Sequence, residues 1–371
     1  MQRFGLIGAS LPGLAALGAL LFTWMQVGQA SKELRISEQG QITTRFNTAI
    51  GNLGSQSLDI RLGGIYALQR IMEDSARDHP AVVAVLSAFA QEHAGSSTES
   101  LKQPLDDSSK LPGHAPKPDV RAAIDTLARR NPDRDAGAFI YLGKTDLRHL
   151  GFPGKAAIRL SGVSFMEADL RQADLIGADL RGASLWSAHL ERAYLEKADL
   201  RSANLYGANF AGADLIGANL RGADKTCGEG EEEPTKRGMC VDLHGAQLEG
   251  ADMRDAKLSD VNLKDSLLQS VDLRGADLAR ANLIGANLAD FSEAKGFGVP
   301  LPGTRRAGAD LRNANLRDAN LQGAFMVGAD LRGADLTRAN LTDSDFTDAK
   351  LAGVKLEGAK RAGATGLPDE G

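Results

Sequence analysis

Ala168-Asp169-Leu170-Arg171-Gln172-Ala173-Asp174-Leu175-Ile176-Gly177-Ala178-Asp179-Leu180 repeats one unit every five residues: Ala, Asp or Asn, Leu, then two variable positions. The leucine phase holds for thirteen units from Leu160 to Leu220, with Phe165 and Phe210 in place of Leu. A run of ten follows from Leu243 through Met253 to Leu288, and another ten from Leu311 to Leu356. The composition carries the same stamp. The chain has 42 Gly among 371 residues but only 12 Phe, 4 Tyr and 2 Trp. So few rings argue against a conventional core built on large aromatics.

A period of five excludes the two ordinary elements. On an α-helix five residues advance a side chain about 140° beyond a full turn, so successive leucines would mark no face. On a continuous strand each five-residue step would flip the leucine to the other side. The pattern fits a chain that points Ala and Leu inward along a short extended stretch and turns a corner once per unit. Repeated corners wind a coil, and stacked coils bury a thin Leu–Ala axis. Gly177, Gly182, Gly207 and Gly212 fall at the corners, where permissive backbone is needed.

These residues resemble the pentapeptide-repeat family over residues 140–360. The resemblance implies a mainly β fold, a right-handed quadrilateral β-helix with four repeats per coil. On that geometry the thirty-three units make about eight coils, a rod of roughly 40 Å at 4.8 Å per coil. It also stacks residues twenty apart. Arg181, Arg201 and Arg221 then share one outward column, beside a column of Asp179, Asp199 and Asn219, while Trp186 and Tyr206 stack on the adjoining side. Arg and aromatic residues are enriched at binding hot spots, which makes these five residues a candidate partner-binding surface. The competing reading is a solvated face of mutually neutralised charges.

Two interruptions break the phase. One, near 225–240, holds Glu229, Glu231, Glu232, Glu233 and Pro234 and reads as a solvated loop. The other, near 292–308, holds Pro300 and Pro302 and reads either as a loop or as a ragged extra coil. Cys227 and Cys240 flank the first, with His244 just beyond. Free thiols, a redox pair closing the loop, and part of a metal site lacking a clear fourth ligand all compete there.

From Phe4 to Val27 the chain has no charged residue. As a helix these 24 positions would be about 36 Å long, enough to span a bilayer core. Residues 1–31 are therefore read as a single-pass membrane anchor. A cleaved signal peptide ending at Gly28-Gln29-Ala30 is the alternative. Arg3 before the span and Lys32, Arg35 and Arg45 after it favour a cytoplasmic bulk.

Residues 32–93 carry helical spacing, with Leu58, Leu62, Ile65, Leu68 and Ile71 on one face and Pro80 placed to start a further helix. The stretches from Glu33 to Thr43 and from Leu58 to Leu68 resemble the juxtamembrane segment of actinobacterial membrane-anchored pentapeptide-repeat proteins. They also resemble, more weakly, a single HEAT-type helix pair. Residues 94–118 read as a flexible linker, 119–139 as a capping helix with Asp119 at its N-cap, and 361–371 as a disordered tail.

None of the six histidines sits in a nucleophile, zinc or phosphate-loop motif, so no enzyme, cofactor or metal is expected. Lys and Arg number 43 against 48 acidic residues, a net charge of −5, which gives no support to direct nucleic-acid binding. The expectation is a membrane-tethered scaffold for unidentified protein partners, with self-association as a further outcome. Some members of the family mimic DNA and modulate type II topoisomerases. Against that alternative, residues 155–360 hold 31 acidic and 26 basic side chains, too balanced for an anionic rod.

Overall fold

The computed structural model describes residues 11–103, 115–154, 157–223, 241–289 and 308–368. The chain divides into two compact units, Met1–Asp74 and Ser75–Gly371.

In the first unit, α1 (Leu11–Leu53) and α2 (Leu58–Asp74) pack against each other. Ile65, Leu68 and Ile71 of α2 are fully buried, as their spacing predicts. Gly64 lets the helices meet, because a Cβ there would lie 2.8 Å from the Ala49 carbonyl oxygen. The sequence reading divides α1 at residue 31, whereas the helix runs through that point. Among the described residues no helix is long and apolar enough to cross a membrane. Residues 1–10 of the stretch read as an anchor lie outside the described residues.

The second unit opens with α3 (His79–His93), the single turn α4 (Ser97–Ser100) and α5 (Pro118–Arg129). α3 packs on α5, placing α3 with the repeats although the sequence reading groups it with residues 32–78. α5 starts at Pro118, with Lys117 and not Asp119 as its N-cap. The fixed φ of proline suits the first helical position. Asp119 is buried instead and accepts the Val120 N–H at 3.0 Å. Val120, Ile124 and Leu127 face inward. The end of α5 closes on the coil: Arg159 N–H donates to Ala128 O at 2.7 Å, and Arg130 Nη1 to Arg159 O at 2.8 Å.

The repeats form a four-sided coil in which each side contributes one bridging residue. Parallel bridges join Arg159 to Asp179, Ser164 to Ser184, Asp169 to His189 and Asp174 to Tyr194, each twenty residues apart. At the described corners the N–H of the Ala, or of the Val or Ser in its place, donates to the carbonyl of the preceding Leu, as from Ala178 to Leu175 at 3.0 Å. The second variable residue has positive φ (Gly182 at 62°, Gln172 at 59°), as a type II turn demands of its third position. The corner is not reserved for glycine: Asp, Ser, Arg and Lys also take the left-handed conformation there. The Asp or Asn before each Leu is a turn residue, its Oδ1 accepting the N–H two positions on, as from Arg181 to Asp179 at 3.2 Å.

As far as Phe346, Ala and Leu line the axis essentially without exposure, whereas Leu351 and Leu356 of the last coil are half-buried. Phe165, Phe210 and Phe346 fill leucine positions, so single rings do fit. The rod is longer than eight coils. One side carries ten rungs, from Asp146 and Asp169 through Asn340 to Lys360, which at nine steps of about 4.8 Å makes roughly 43 Å. It continues to Thr365, which bridges Asp345, inside the segment read from the sequence as a tail.

The interruptions leave the register whole. Asn209 stacks on Asp242 at a separation of 33 and not 20, so thirteen residues are extra. Ala223 still holds its place on the coil, accepting the Lys257 N–H at 3.1 Å. Asp272 stacks on Asp310 at a separation of 38, so eighteen are extra. Across that second gap Ala309 N–H donates to Leu288 O at 2.9 Å, the ordinary corner bond. The eighteen extra residues thus enter at one corner, between Leu288 and Ala309, and the segment read as a loop or a ragged coil lies outside the described residues from 290 to 307.

Candidate functional site

Arg181, Arg201 and Arg221 do share one side of the rod, on the coils of Asp179, Asp199 and Asn219. Because the register survives both insertions, the same column continues through Arg254, Arg274, Arg312 and Arg332, beside Asp252, Asp272, Asp310 and Asp330. The 20-residue rule predicts only three rungs, because the insertions replace that spacing by 33 and 38. A signal was there: a Leu or Met flanked by Asp or Asn and by Arg recurs once per coil on this side.

Each pair is a two-point chelate. Arg181 donates from Nε to Asp179 Oδ1 and from Nη2 to Oδ2, both at 2.7 Å. Nη2 to Oδ2 distances at Arg201, Arg254, Arg274, Arg312 and Arg332 fall between 2.5 and 2.7 Å. Arg181, Arg254, Arg274 and Arg312 also near the carboxylate of the next coil, as from Arg254 to Asp272 at 3.4 Å and Arg274 to Asp310 at 3.7 Å. The result is a zipper of alternating charge along the axis. It has one gap: Asn219 offers Arg221 only an amide oxygen, and the Arg221 Nε reaches Asp255 at 3.7 Å instead.

The electrostatics follow this geometry. Hydrogen bonds from Arg181 hold the Asp179 carboxyl below the ordinary value of 3.8, and Arg201, Arg254 and Arg332 do the same for Asp199, Asp252 and Asp330. At Asp272 burial pushes upward, but the Arg274 bonds outweigh it. The arginine pKa values rise correspondingly. Seven arginines face six aspartates, so this side is not anionic.

On the adjoining side Trp186 and Tyr206 stand on successive coils with ring centroids 6.2 Å apart, tilted by 46°. Met166 precedes them in the column, and Phe139 and Tyr141 form a second pair at 6.4 Å. The Tyr141 ring folds over Gly143, where a Cβ would lie 2.5 Å from it.

A third side is covered at its first rungs. Asp146 with Arg148 and Asp169 with Arg171 repeat the chelate, the latter pair at 2.8 and 2.7 Å. Residues 95–103, within the stretch read as a flexible linker, lie over them. Ser96 bridges Thr145 antiparallel, and Ser97 N–H donates to Lys144 O at 3.0 Å. The Ser100 hydroxyl donates to Asp169, and Arg171 donates to Ser100 O at 2.8 Å and Gln103 O at 3.2 Å. Arg148 donates to Gln103 Oε1 at 2.9 Å.

Cys227 and Cys240 lie outside the described residues. His244 donates from Nδ1 to Lys264 O at 2.9 Å, and among the described residues no group of His, Cys, Asp and Glu could hold a metal ion.

A family model described as Pentapeptide repeats matches residues 157–186, 188–224, 256–295, 307–333 and 326–360 in 8 copies. The repeat region belongs to the pentapeptide-repeat family. Pentapeptide repeats coil as right-handed β-helices, the architecture of the second unit. No curated protein matches the chain. Among solved structures it is similar to HetL of the cyanobacterium Nostoc sp. strain PCC 7120, described as involved in heterocyst differentiation regulation. That likeness has 28% identity and a TM-score of 0.27 over 62% of this chain and 89% of HetL. It is similar to QnrB1, a plasmid-mediated fluoroquinolone resistance protein, at 21% identity and a TM-score of 0.28 over 55% and 81%. A pentapeptide-repeat protein of the Arabidopsis thaliana thylakoid lumen matches at 25% identity and a TM-score of 0.12 over 36% and 71%.

Proposed function

We propose that the chain is a non-enzymatic protein-interaction scaffold whose pentapeptide-repeat rod presents partner-binding sides. The observation that carries this reading is the arginine column. Seven guanidinium groups stand at coil spacing over about 29 Å, six of them fixed by a chelating carboxylate. Binding to groups already oriented loses less conformational freedom than binding to mobile arginines. Trp186 and Tyr206, one corner away, add the large apolar contacts that interfaces use.

The topoisomerase alternative is weaker. A DNA mimic needs a continuous anionic surface, and here the aspartate column is neutralised rung by rung.

The finer reading keeps the N-terminal segment as a single-pass tether with the rod on the cytoplasmic side. Its support is the uncharged stretch from Phe4 to Ser31 and the exposure of Phe22, Trp24, Met25 and Val27 on α1. Export with cleavage after Ala30 is the competing reading.

Proximity labelling from native cells, combined with crosslinked pull-down from separated membrane and soluble fractions, tests both. The scaffold reading expects a discrete protein set from the intact chain, and the tether expects it in the membrane fraction. Recovery of the same proteins as an unrelated rod-shaped control would end the scaffold reading. A soluble intact chain would end the tether.

A further inference from the structure

The chain contains its own example of how an Asp–Arg pair is occupied. α4 is one helical turn, and its last carbonyl, Ser100 O, accepts the Gln103 N–H at 3.0 Å and has a second lone pair to offer. Arg171 takes it up: with Nε and Nη2 held by Asp169, it still donates from Nη2 to Ser100 O and from Nη1 to Gln103 O, three residues past the turn. Asp169 in turn accepts the Ser100 hydroxyl. Gln103 spans two rungs, its backbone carbonyl on Arg171 and its side chain on Arg148. Under this cover the arginine side chains are 6% and 9% exposed.

The arginine side repeats that lattice with nothing over it among the described residues. Arg254, Arg274, Arg312 and Arg332 hold the same chelate on four successive coils, each with its own aspartate. Their side chains are 35–49% exposed. The chelates use Nε and Nη2, and Nη1 has no hydrogen-bond partner among the described residues. Charge and geometry therefore match the carbonyl end of a helical turn, which carries partial negative charge.

We propose that the stretch from Arg254 to Arg332 is a docking surface for the carbonyl end of a helical turn from a partner protein, with a Ser or Thr at its last helical position. The hydroxyl donates to an aspartate, the terminal carbonyls accept from the arginine on that rung, and the segment spans two rungs. This rests on the scaffold reading and specifies its side and its ligand.

The test uses the full chain in detergent and a fluorescent nonapeptide, Gly-Ser-Ser-Thr-Glu-Ser-Leu-Lys-Gln, the sequence of residues 95–103. The tethered native segment keeps the third side occupied, since it acts at high effective concentration. Anisotropy is expected to saturate with a midpoint below about 1 mM. The combined R254K, R274K, R312K and R332K variant keeps the charge and removes the fork, and is expected to weaken binding at least about tenfold. A peptide with its last serine, the counterpart of Ser100, replaced by alanine loses a similar factor. Circular dichroism confirms that the variant folds. Absence of saturation up to about 5 mM, or binding equal in the lysine variant, overturns the proposal. Binding lost instead with R148K and R171K, through displacement of the native segment, overturns it too. Either failure leaves the scaffold reading standing, because partner recovery from cells decides that separately.

Discussion

Arg274 chelates Asp272, the residue two positions before it, at 2.8 and 2.6 Å, and its Nε lies 3.7 Å from Asp310 on the next coil. Thirty-six residues separate Arg274 from Asp310 in sequence, yet they are neighbours because eighteen of those residues are inserted at a corner. The surface depends on this arithmetic as much as on the chemistry of the pair.

The second insertion is expendable for the fold. Excising residues 290–307 joins Ala289 to Gly308, which takes the second corner position and leaves the Ala309-to-Leu288 bond intact. The expected Tm changes by no more than about 4 °C, the shift worth about 1 kcal/mol in a domain of this size. Excising 290–309 removes Ala309 itself and is expected to unfold the C-terminal coils, read as a large loss of the melting transition by calorimetry.

Acid acts on the aspartate column in one direction. Asp179, Asp199, Asp252 and Asp330 are held below 3.8 when folded. A depressed folded value means the stabilisation is complete above the unfolded value and disappears as pH falls through the folded one. The ladder is therefore expected to be indifferent to pH between about 5 and 7 and to weaken below about 4. Urea midpoints at pH 7, 5 and 3 check this. A loss between pH 7 and 5 would come from groups outside the ladder.

The gap at Asn219 can be filled. Asn219→Asp gives Arg221 the carboxylate that its equivalents have, and its exposed position limits the gain to about 0–1 kcal/mol. The urea midpoint at pH 7 should rise slightly, and the gain should vanish in 1 M salt or below pH 3.

The axis tolerates neither deletion nor excess. Leu215 and Ala213 are fully buried on one side of one coil. Leu215→Ala should cost about 2–5 kcal/mol through cavity formation. Ala213→Leu should cost about 1–3 kcal/mol through overpacking, although it adds apolar surface. Both appear as lowered urea midpoints with unchanged coil signature by circular dichroism.

The fold was legible because every unit states it: Ala and Leu alternate with Asp or Asn at a period that only a cornered coil satisfies. The extent of the site was not. Stacking at twenty residues is a rule of the uninterrupted coil, and from Arg221 to Arg254 the spacing is set by an insertion that has no pattern of its own. The docked segment 95–103 was equally hidden. Its Ser-rich composition has the character of a linker, and contacts with residues 144–148, Asp169 and Arg171, some forty to seventy residues away, order it. At α5 the side chain of Asp119 suggests a cap, but Pro118 takes the first helical position and moves the cap to Lys117.

Continuity of the arginine side is the claim on which scaffold and docking surface both stand. It is tested by pulsed electron–electron spin resonance between labels at R181C and R332C, with Cys227 and Cys240 replaced by serine. Six coil steps predict a narrow distribution centred near about 29 Å. A centre near about 38 Å, as an extra coil at each interruption would give, or a broad distribution without a centre, would contradict it.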